Sequence, residues 1–292
     1  PKLRAAVSAD ASASQRALSS MRTIAQISDL HFGRHDAGVV EALLASLQGC
    51  ACDLVVISGD FTQRARSAEF AAARAFLARL AMPVLVIPGN HDVAPLFRPL
   101  TRMFRPMARY ERFVSADRQP FFADSEIAVL GIDTARRMPG KNGRVSLEQM
   151  AAIRKILGPL PDRLFKVLVT HHPLAVPRLA GVVELAGRAR RALEAAADAG
   201  VHLLLSGHYH RWASGEASVH VASERSVLVV HAGTAVSTRT RGGEANSYNL
   251  LRLDGASLTV AVMGWRDPDG FAEIDRASFV LGATGWKADR TG

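Results

Sequence analysis

"PGNHDVAP", residues 88–95, follows directly on the apolar run "PVLVI" at 83–87. The junction between the two decides how the chain is read. Val, Leu and Ile bounded by Pro describe a central strand of a sheet covered on both faces. Gly89 reads as the residue that lets the chain leave this strand at a backbone angle others resist. Asn90, His91 and Asp92 then follow consecutively, each able to bind metal or move protons. Taken alone the octapeptide is equally well a turn, since Asn and Asp are common turn residues. The rest of the chain breaks the tie.

Strand-like runs surround this one at 23–28 ("TIAQIS"), 53–58 ("DLVVIS"), 126–132 ("EIAVLGI") and 164–170 ("LFKVLVT"). Further runs occur at 201–206, 226–231, 247–253 and 258–263. Helical patterns lie between the earlier ones, at 37–48, 66–80, 146–157 and 185–199. "SLEQMAAIRKIL" opens with Ser146 and Glu148, an N-cap and an acidic first turn. Alternating strands and helices predict an α/β core with helices over sheets, and after residue 200 strands alone remain. There is no internal repeat. One domain over 21–292 is expected, with residues 1–20, rich in Ala and Ser, as a mobile extension ahead of Met21.

The strand ends repeat one kind of chemistry. "SDLHFG" carries Asp29 and His31, "SGDFTQ" carries Asp60, and "GNHD" carries Asn90, His91 and Asp92. Later come "THHP" with His171 and His172, and "SGHYH" with His208 and His210. Ligands of open α/β sheets sit outside the carboxyl ends of the strands. A lone Asp there is usually a cap and a lone His-x-His incidental. Five such pieces at one structural place are not incidental. Mixed oxygen and imidazole donors suit Mn²⁺, Fe, Zn²⁺, Ni²⁺ or Co²⁺, whereas a thiolate site would need cysteines among them. Seven candidate ligands exceed one ion with open positions and suit two ions sharing a carboxylate, on the order of 3.5–4 Å apart. Such a pair acidifies a bridging water and clamps the oxygens of an in-line displacement, which is what phosphoester hydrolysis requires.

Composition sets the outer limits. No apolar stretch is long enough to span a bilayer. The formal net charge of +9 invites nucleic acid or an anionic membrane as partner. Most of it is Arg scattered along Ala-rich helices such as "FAAARAFLARLA", so nucleic acid is disfavoured. The segment "FRPLTRMFRPMARYERF" at 97–113 differs, interleaving Arg with Phe, Met, Leu and Tyr. Cys50 and Cys52 are the two cysteines of the chain. They read as too close in sequence for an ordinary disulfide, which makes a reducing cytoplasm the expected compartment.

The ordered pieces "DLH", "GD", "GNHD", the His of "THHP" and "GHYH" resemble the calcineurin-like metallophosphoesterases over residues 22 to about 265. The resemblance implies a four-layer αββα sandwich with two mixed sheets and a dinuclear centre at the strand ends, with Mn²⁺ and/or Fe foremost. Carried over residue by residue, it puts Asp29, His31 and His210 on the first metal and Asn90, His171 and His208 on the second. Asp60 bridges them. His91 becomes the proton donor to the leaving oxygen, and Asp92 orients His91 through a hydrogen bond. His172 is expected in a structural or rim role. Arg34 and His35 are candidates to reach substrate phosphate and equally candidates for solvated loop residues.

Within the family, "ISDLHFG", "GRVSLEQMAAI" and the length resemble the class III cyclic-nucleotide phosphodiesterases and their bacterial relatives. That implies hydrolysis of 3′,5′-cyclic nucleotides or other small phosphodiesters by a metal-bridging hydroxide. The alternative is a lipid-linked pyrophosphate hydrolase similar to UDP-2,3-diacylglucosamine pyrophosphohydrolase, with residues 95–120 as a cap and peripheral membrane contact. For that segment a helix packed on the core with Arg facing water is the competing expectation. A non-enzymatic metal-binding scaffold comes third, and a homodimer is compatible with all three. The Gly-rich stretch 232–249 departs from the cyclic-nucleotide enzymes. Either it brings backbone donors with Arg239 or Arg241 to a substrate, or it forms an ordered loop.

Overall fold

The computed structural model describes residues 21–137, 142–177, 184–217, 226–240, 243–282 and 285–289. The extension expected at 1–20 lies outside them, as does Arg241. Among the described residues, thirteen strands form two sheets. The seven-stranded sheet runs β13-β12-β11-β10-β1-β2-β3 and the six-stranded sheet β4-β5-β6-β7-β9-β8. In chain order, the first sheet takes β1 (Arg22–Ile27), β2 (Leu54–Ile57) and β3 (Val84–Val86). It also takes β10 (Ser247–Asp254), β11 (Ser257–Arg266), β12 (Gly270–Gly282) and β13 (Gly285–Asp289). The second takes β4 (Phe121–Ala123), β5 (Ile127–Ile132), β6 (Phe165–Thr170), β7 (Leu203–Ser206), β8 (Ala213–Glu216) and β9 (Leu228–His231).

Both sheets are mixed. β1, β2 and β3 are parallel, with Ile24 opposite Leu54 and Val55 opposite Val84. β10 adds antiparallel to β1, Leu251 facing Ile24. In the second sheet β5, β6, β7 and β9 are parallel, flanked by antiparallel β4 and β8.

The apolar runs are unbroken because both faces of these strands are covered. Side chains alternate across a strand, so Ile24, Leu54 and Val56 point into the layer between the sheets with Val129, Val167 and Leu203. Ala25, Val55 and Ile57 point outward, beneath α1 (Ala37–Gly49), α2 (Ser67–Leu77) and α4 (Ala108–Phe113). On the far side Leu130 and Leu168 pack under α5 (Leu147–Leu157) and α6 (Ala189–Asp198). The result is the expected αββα sandwich. α1 starts where the Asp36 side chain accepts from the amides of Gly38 and Val39, at 2.8 and 3.1 Å. α5 starts at Ser146, whose Oγ accepts from Gln149 N while Gln149 Oε1 accepts from Ser146 N. α6 begins later than periodicity suggests, because Arg188 is left-handed, at φ 64°.

One expectation fails here. Cys50 and Cys52 are joined as a disulfide, their Cα atoms 5.3 Å apart. Ala51 between them is left-handed, at φ 48°, and this folds the chain back within the Cα range a disulfide needs. The inference of a reducing compartment loses its premise. Segment 97–113 divides between the two alternatives left open for it. α4 packs inward through Met107 and Tyr110, both buried, whereas Leu100, Met103 and Phe104 of α3 (Pro99–Phe104) face solvent. Among the described residues no helix is long and apolar enough to cross a membrane.

Candidate metal centre

The parallel strands of both sheets end on one rim, and the sandwich brings the two rims together. Gln26 of β1 donates to the carbonyl of Ser206 at the end of β7, at 3.0 Å. This buried bond ties the sheets together just below the cluster. Three groups of side chains converge above it, their ligand atoms within 4.8 Å of one another: Asp29, His31 and His210; Asp29, Asp60 and His171; and His31, Asp60 and His91. A fourth joins His171, His172 and His208. Asn90 reaches the same place, its Oδ1 3.2 Å from His171 Nε2. All seven residues expected as ligands are therefore neighbours.

Hydrogen bonds at the outer ring nitrogens orient the imidazoles. His171 Nδ1 lies 2.7 Å from the Ser58 carbonyl, His31 Nδ1 3.3 Å from that of Thr62, and His210 Nδ1 3.1 Å from that of Arg239. A carbonyl only accepts, so each Nδ1 carries the proton and each Nε2 turns a lone pair inward. His31 Nε2 and His210 Nε2 are 3.1 Å apart, two acceptors facing each other. Asp29 Oδ1 is buried without a hydrogen-bond partner, 3.3 Å from His210 Nε2 and 3.6 Å from His31 Nε2. A buried carboxylate oxygen and two inward lone pairs at one point are what a cation relieves. The donor set fits a metal ion.

The electrostatics agree. Burial opposes ionisation at Asp29, yet His210 and His31 hold its carboxyl well below the usual range. Burial likewise opposes ionisation at Asp60, but His171, His91 and His31 outweigh it and hold that carboxyl down too. His171 rises to about 9 against its burial, because the Asp60 carboxylate lies beside it, with Oδ2 3.4 Å from Nε2, so at neutral pH its Nε2 holds a proton that a bound cation would displace. His208 falls to about 4 through burial and the neighbouring His171. Two buried carboxylates, ionised at neutral pH, thus demand positive charge at the centre.

The local backbone is strained to achieve this. Asp29, His31, Asp60, His208 and His210 all adopt left-handed conformations, with φ between 47° and 77°. Such residues cost of order 1–3 kcal/mol each and persist where surroundings over-determine them. Periodicity carries no signal for this. Gly89 is explained differently from the sequence reading. Its φ is −109°, open to any residue, but a Cβ there would overlap Asp60 Oδ1. Gly59 does need its freedom, at φ 98°, and a side chain there would run into the His171 ring.

Asp92 does not touch the His91 ring as expected. Its two oxygens accept from the amides of Gly89, Phe61 and Thr62 and from Thr62 Oγ1, all at 2.9–3.1 Å. It pins the "GNHD" turn to the "GDFT" turn. Burial and the Asp60 charge push its carboxyl up to about 7, against those donors. The His91 ring is oriented by the backbone instead, Nδ1 donating to the Gln63 carbonyl at 2.7 Å.

Other expected residues divide. His172 is buried, with Nδ1 2.8 Å from Thr134 Oγ1 and its ring 4.6 Å from that of His208. It belongs to the cluster more closely than a rim role implies. His35 accepts from Gly33 N and packs on Phe32, and Arg34 is exposed. The described part of 232–249 is an ordered loop that clamps the site through its backbone and the Thr234 hydroxyl. Thr234 Oγ1 donates to the Asp29 carbonyl, Ala235 N to that of Ser28, and the Arg239 carbonyl holds His210. Sequence reasoning missed Asp133, at the end of β5. It lies within a cavity of about 530 Å³ also lined by Val93, Met107, Arg118, Gln119 and Arg136. Burial pushes the Asp133 carboxyl up to about 6 despite Arg118, 3.4 Å away. Its signal was a carboxylate directly after "VLGI", one place nearer its strand than Asp29 is to β1.

Comparison with known proteins identifies the family. The family model for calcineurin-like phosphoesterases matches residues 22–212, more than half of the chain, and the chain belongs to that family. It is 28% identical over 126 residues to a probable glycerophosphodiester phosphodiesterase GpdQ of Arcobacter nitrofigilis, covering 42% of this chain and 43% of that one. It is 36% identical over 94 residues to glycerophosphodiester phosphodiesterase GpdQ of Enterobacter lignolyticus, covering 28% and 34%. These matches span less than half the length of either relative. The fold is similar to purple acid phosphatase PPD1 from yellow lupin, with a TM-score of 0.67 at 12% identity over 89% of this chain and 54% of that one.

Proposed function

We propose that the protein hydrolyses small-molecule phosphodiesters with two transition-metal ions, and that glycerophosphodiesters are the first class to test. The observation that carries this is the set of imidazole Nε2 atoms turned inward around two buried, ionised carboxylates. Asp29, His31 and His210 would hold one ion, Asn90, His171 and His208 the other, with Asp60 between them. The bound ions would supply a nucleophile at neutral pH and neutralise charge on the phosphoryl oxygens.

The remaining chemistry falls to the protein. With Nδ1 fixed on the Gln63 carbonyl, a proton on His91 comes and goes at Nε2. That leaves Nε2 to protonate the departing alcohol oxygen, the step general acids serve. The names of both relatives favour glycerol esters over cyclic nucleotides.

The test is a panel of glycerophosphoethanolamine, cyclic AMP, bis-p-nitrophenyl phosphate and UDP-diacylglucosamine, with and without Mn²⁺. Turnover of the glycerol ester, lost on chelation and restored by Mn²⁺, is expected. Turnover confined to the lipid-linked pyrophosphate would overturn the substrate class. No bound metal and no turnover in any Mn²⁺-supplemented assay would overturn the reading altogether.

A further inference from the structure

α3 and the turn leading into it are packed with their apolar side outward. Leu96, Phe97, Leu100, Met103 and Phe104 are 64%, 69%, 73%, 59% and 73% exposed. Leu100, Met103 and Phe104 stand at i, i+3 and i+4, one face of a helix. The other side is fastened to the protein by polar groups. Arg102 donates through Nε to the Arg137 carbonyl at 2.6 Å and through Nη1 to that of Ala94 at 2.5 Å. Arg137 Nη1 returns a bond to the Met103 carbonyl at 3.2 Å. Single exposed apolar residues need no explanation. Five within nine positions form a patch, and patches mark interaction sites.

Charge identifies the occupant. From Val93 to Tyr110 the chain has four arginines and no Asp or Glu, and Arg98 and Arg105 are exposed beside the apolar side chains. We infer that this face docks the protein on an anionic lipid surface, its aromatic and aliphatic side chains at the headgroup boundary and its arginines on lipid phosphates. An apolar face flanked by cations is the composition such docking uses. A second copy of the chain is a poorer fit. A two-fold contact sets each patch against itself, bringing Arg98 and Arg105 of both copies together with no carboxylate from this stretch to pair with them. The inference stands independently of the proposed substrate.

The experiment is sedimentation of the full chain with vesicles of phosphatidylcholine containing phosphatidylglycerol, against vesicles of phosphatidylcholine alone. Binding to the anionic vesicles that weakens with salt is expected. Each Arg→Gln change at Arg98 or Arg105 should weaken it on the order of fivefold. The triple change Phe97→Ser, Leu100→Ser, Phe104→Ser should abolish it, while metal content and turnover of bis-p-nitrophenyl phosphate stay as in the parent and report an intact fold. Equal sedimentation of parent and triple variant, or none of the parent, overturns the inference. A parent that elutes as a dimer and a triple variant that elutes as a monomer, with neither binding vesicles, would assign the face to self-association instead.

Discussion

The backbone amide of His91 donates to Oδ1 of Asp60 at 2.8 Å. The other Asp60 oxygen faces His171 at 3.4 Å and His31 at 3.8 Å. One carboxylate therefore fixes the turn that presents Asn90 and His91, and supplies negative charge between His171 and His31. Asp60→Asn keeps an acceptor for His91 but removes the charge. We expect it to retain its fold while losing metal and more than the ~10–100-fold in activity that a metal's outer partners are worth. Elemental analysis with steady-state rates checks this, and full metal content with near-normal turnover would refute the central position of Asp60.

His91 should behave as a proton donor and not as a ligand. His91→Ala is expected to cut turnover by ~10²–10⁴ while both metals remain bound. The loss should be smaller for a p-nitrophenyl diester, whose leaving group needs little protonation. Equal losses on good and poor leaving groups would remove the acid role, and loss of metal would make His91 a ligand.

Asp92 is expected to act on stability and metal retention through the two turns it joins. Asp92→Ala strands three buried amides, each worth about 1–3 kcal/mol when left without a partner. Chemical denaturation should report a loss of several kcal/mol. In whatever folded protein remains, the leaving-group dependence should match the parent, because His91 stays on the Gln63 carbonyl. A changed leaving-group dependence at unchanged stability would restore the expectation that Asp92 orients His91.

His231 gives a pH dependence away from the cluster. Burial lowers its imidazole to about 4, with Nε2 3.0 Å from the Ala175 carbonyl. The unfolded chain takes up a proton near 6.5 and the native state resists until about 4, so this group costs stability as pH falls through that window. The contribution is ~3 kcal/mol at the acid end, from about 1.4 kcal/mol per unit. His231→Gln should flatten the stability profile between those pH values in urea melts. An unchanged slope would show that other groups govern it.

Much of the fold was legible because burial on both faces leaves a plain mark. "LVVI", "VLV" and "VLVT" are unbroken apolar runs, and each Asp, Asn or His after one of them stands at the rim. The flanking strands were less legible. β4, β8, β12 and β13 lie on the outer flanks of the sheets, half-buried or exposed along much of their length, so their sequences alternate weakly. The ligand set was legible as composition at strand ends, but its geometry was not. Left-handed Asp29, His31 and Asp60 follow from what surrounds the turns, and no local propensity predicts them.

The sequence by itself determined the layered α/β class, the rim of the sheets and the Asp, Asn and His residues that gather there, because period and position at a strand end are local properties, while the motif resemblance supplied the choice of seven candidate ligands among them. Tertiary structure decided what each neighbour does. Asp92 binds amides of "GDFT", 30 and 31 residues away, the Arg239 carbonyl turns the His210 ring, and Arg102 holds α3 with its apolar side outward. These roles depend on which backbone donors and acceptors are left over once the sheets have formed. That remainder exists only in three dimensions.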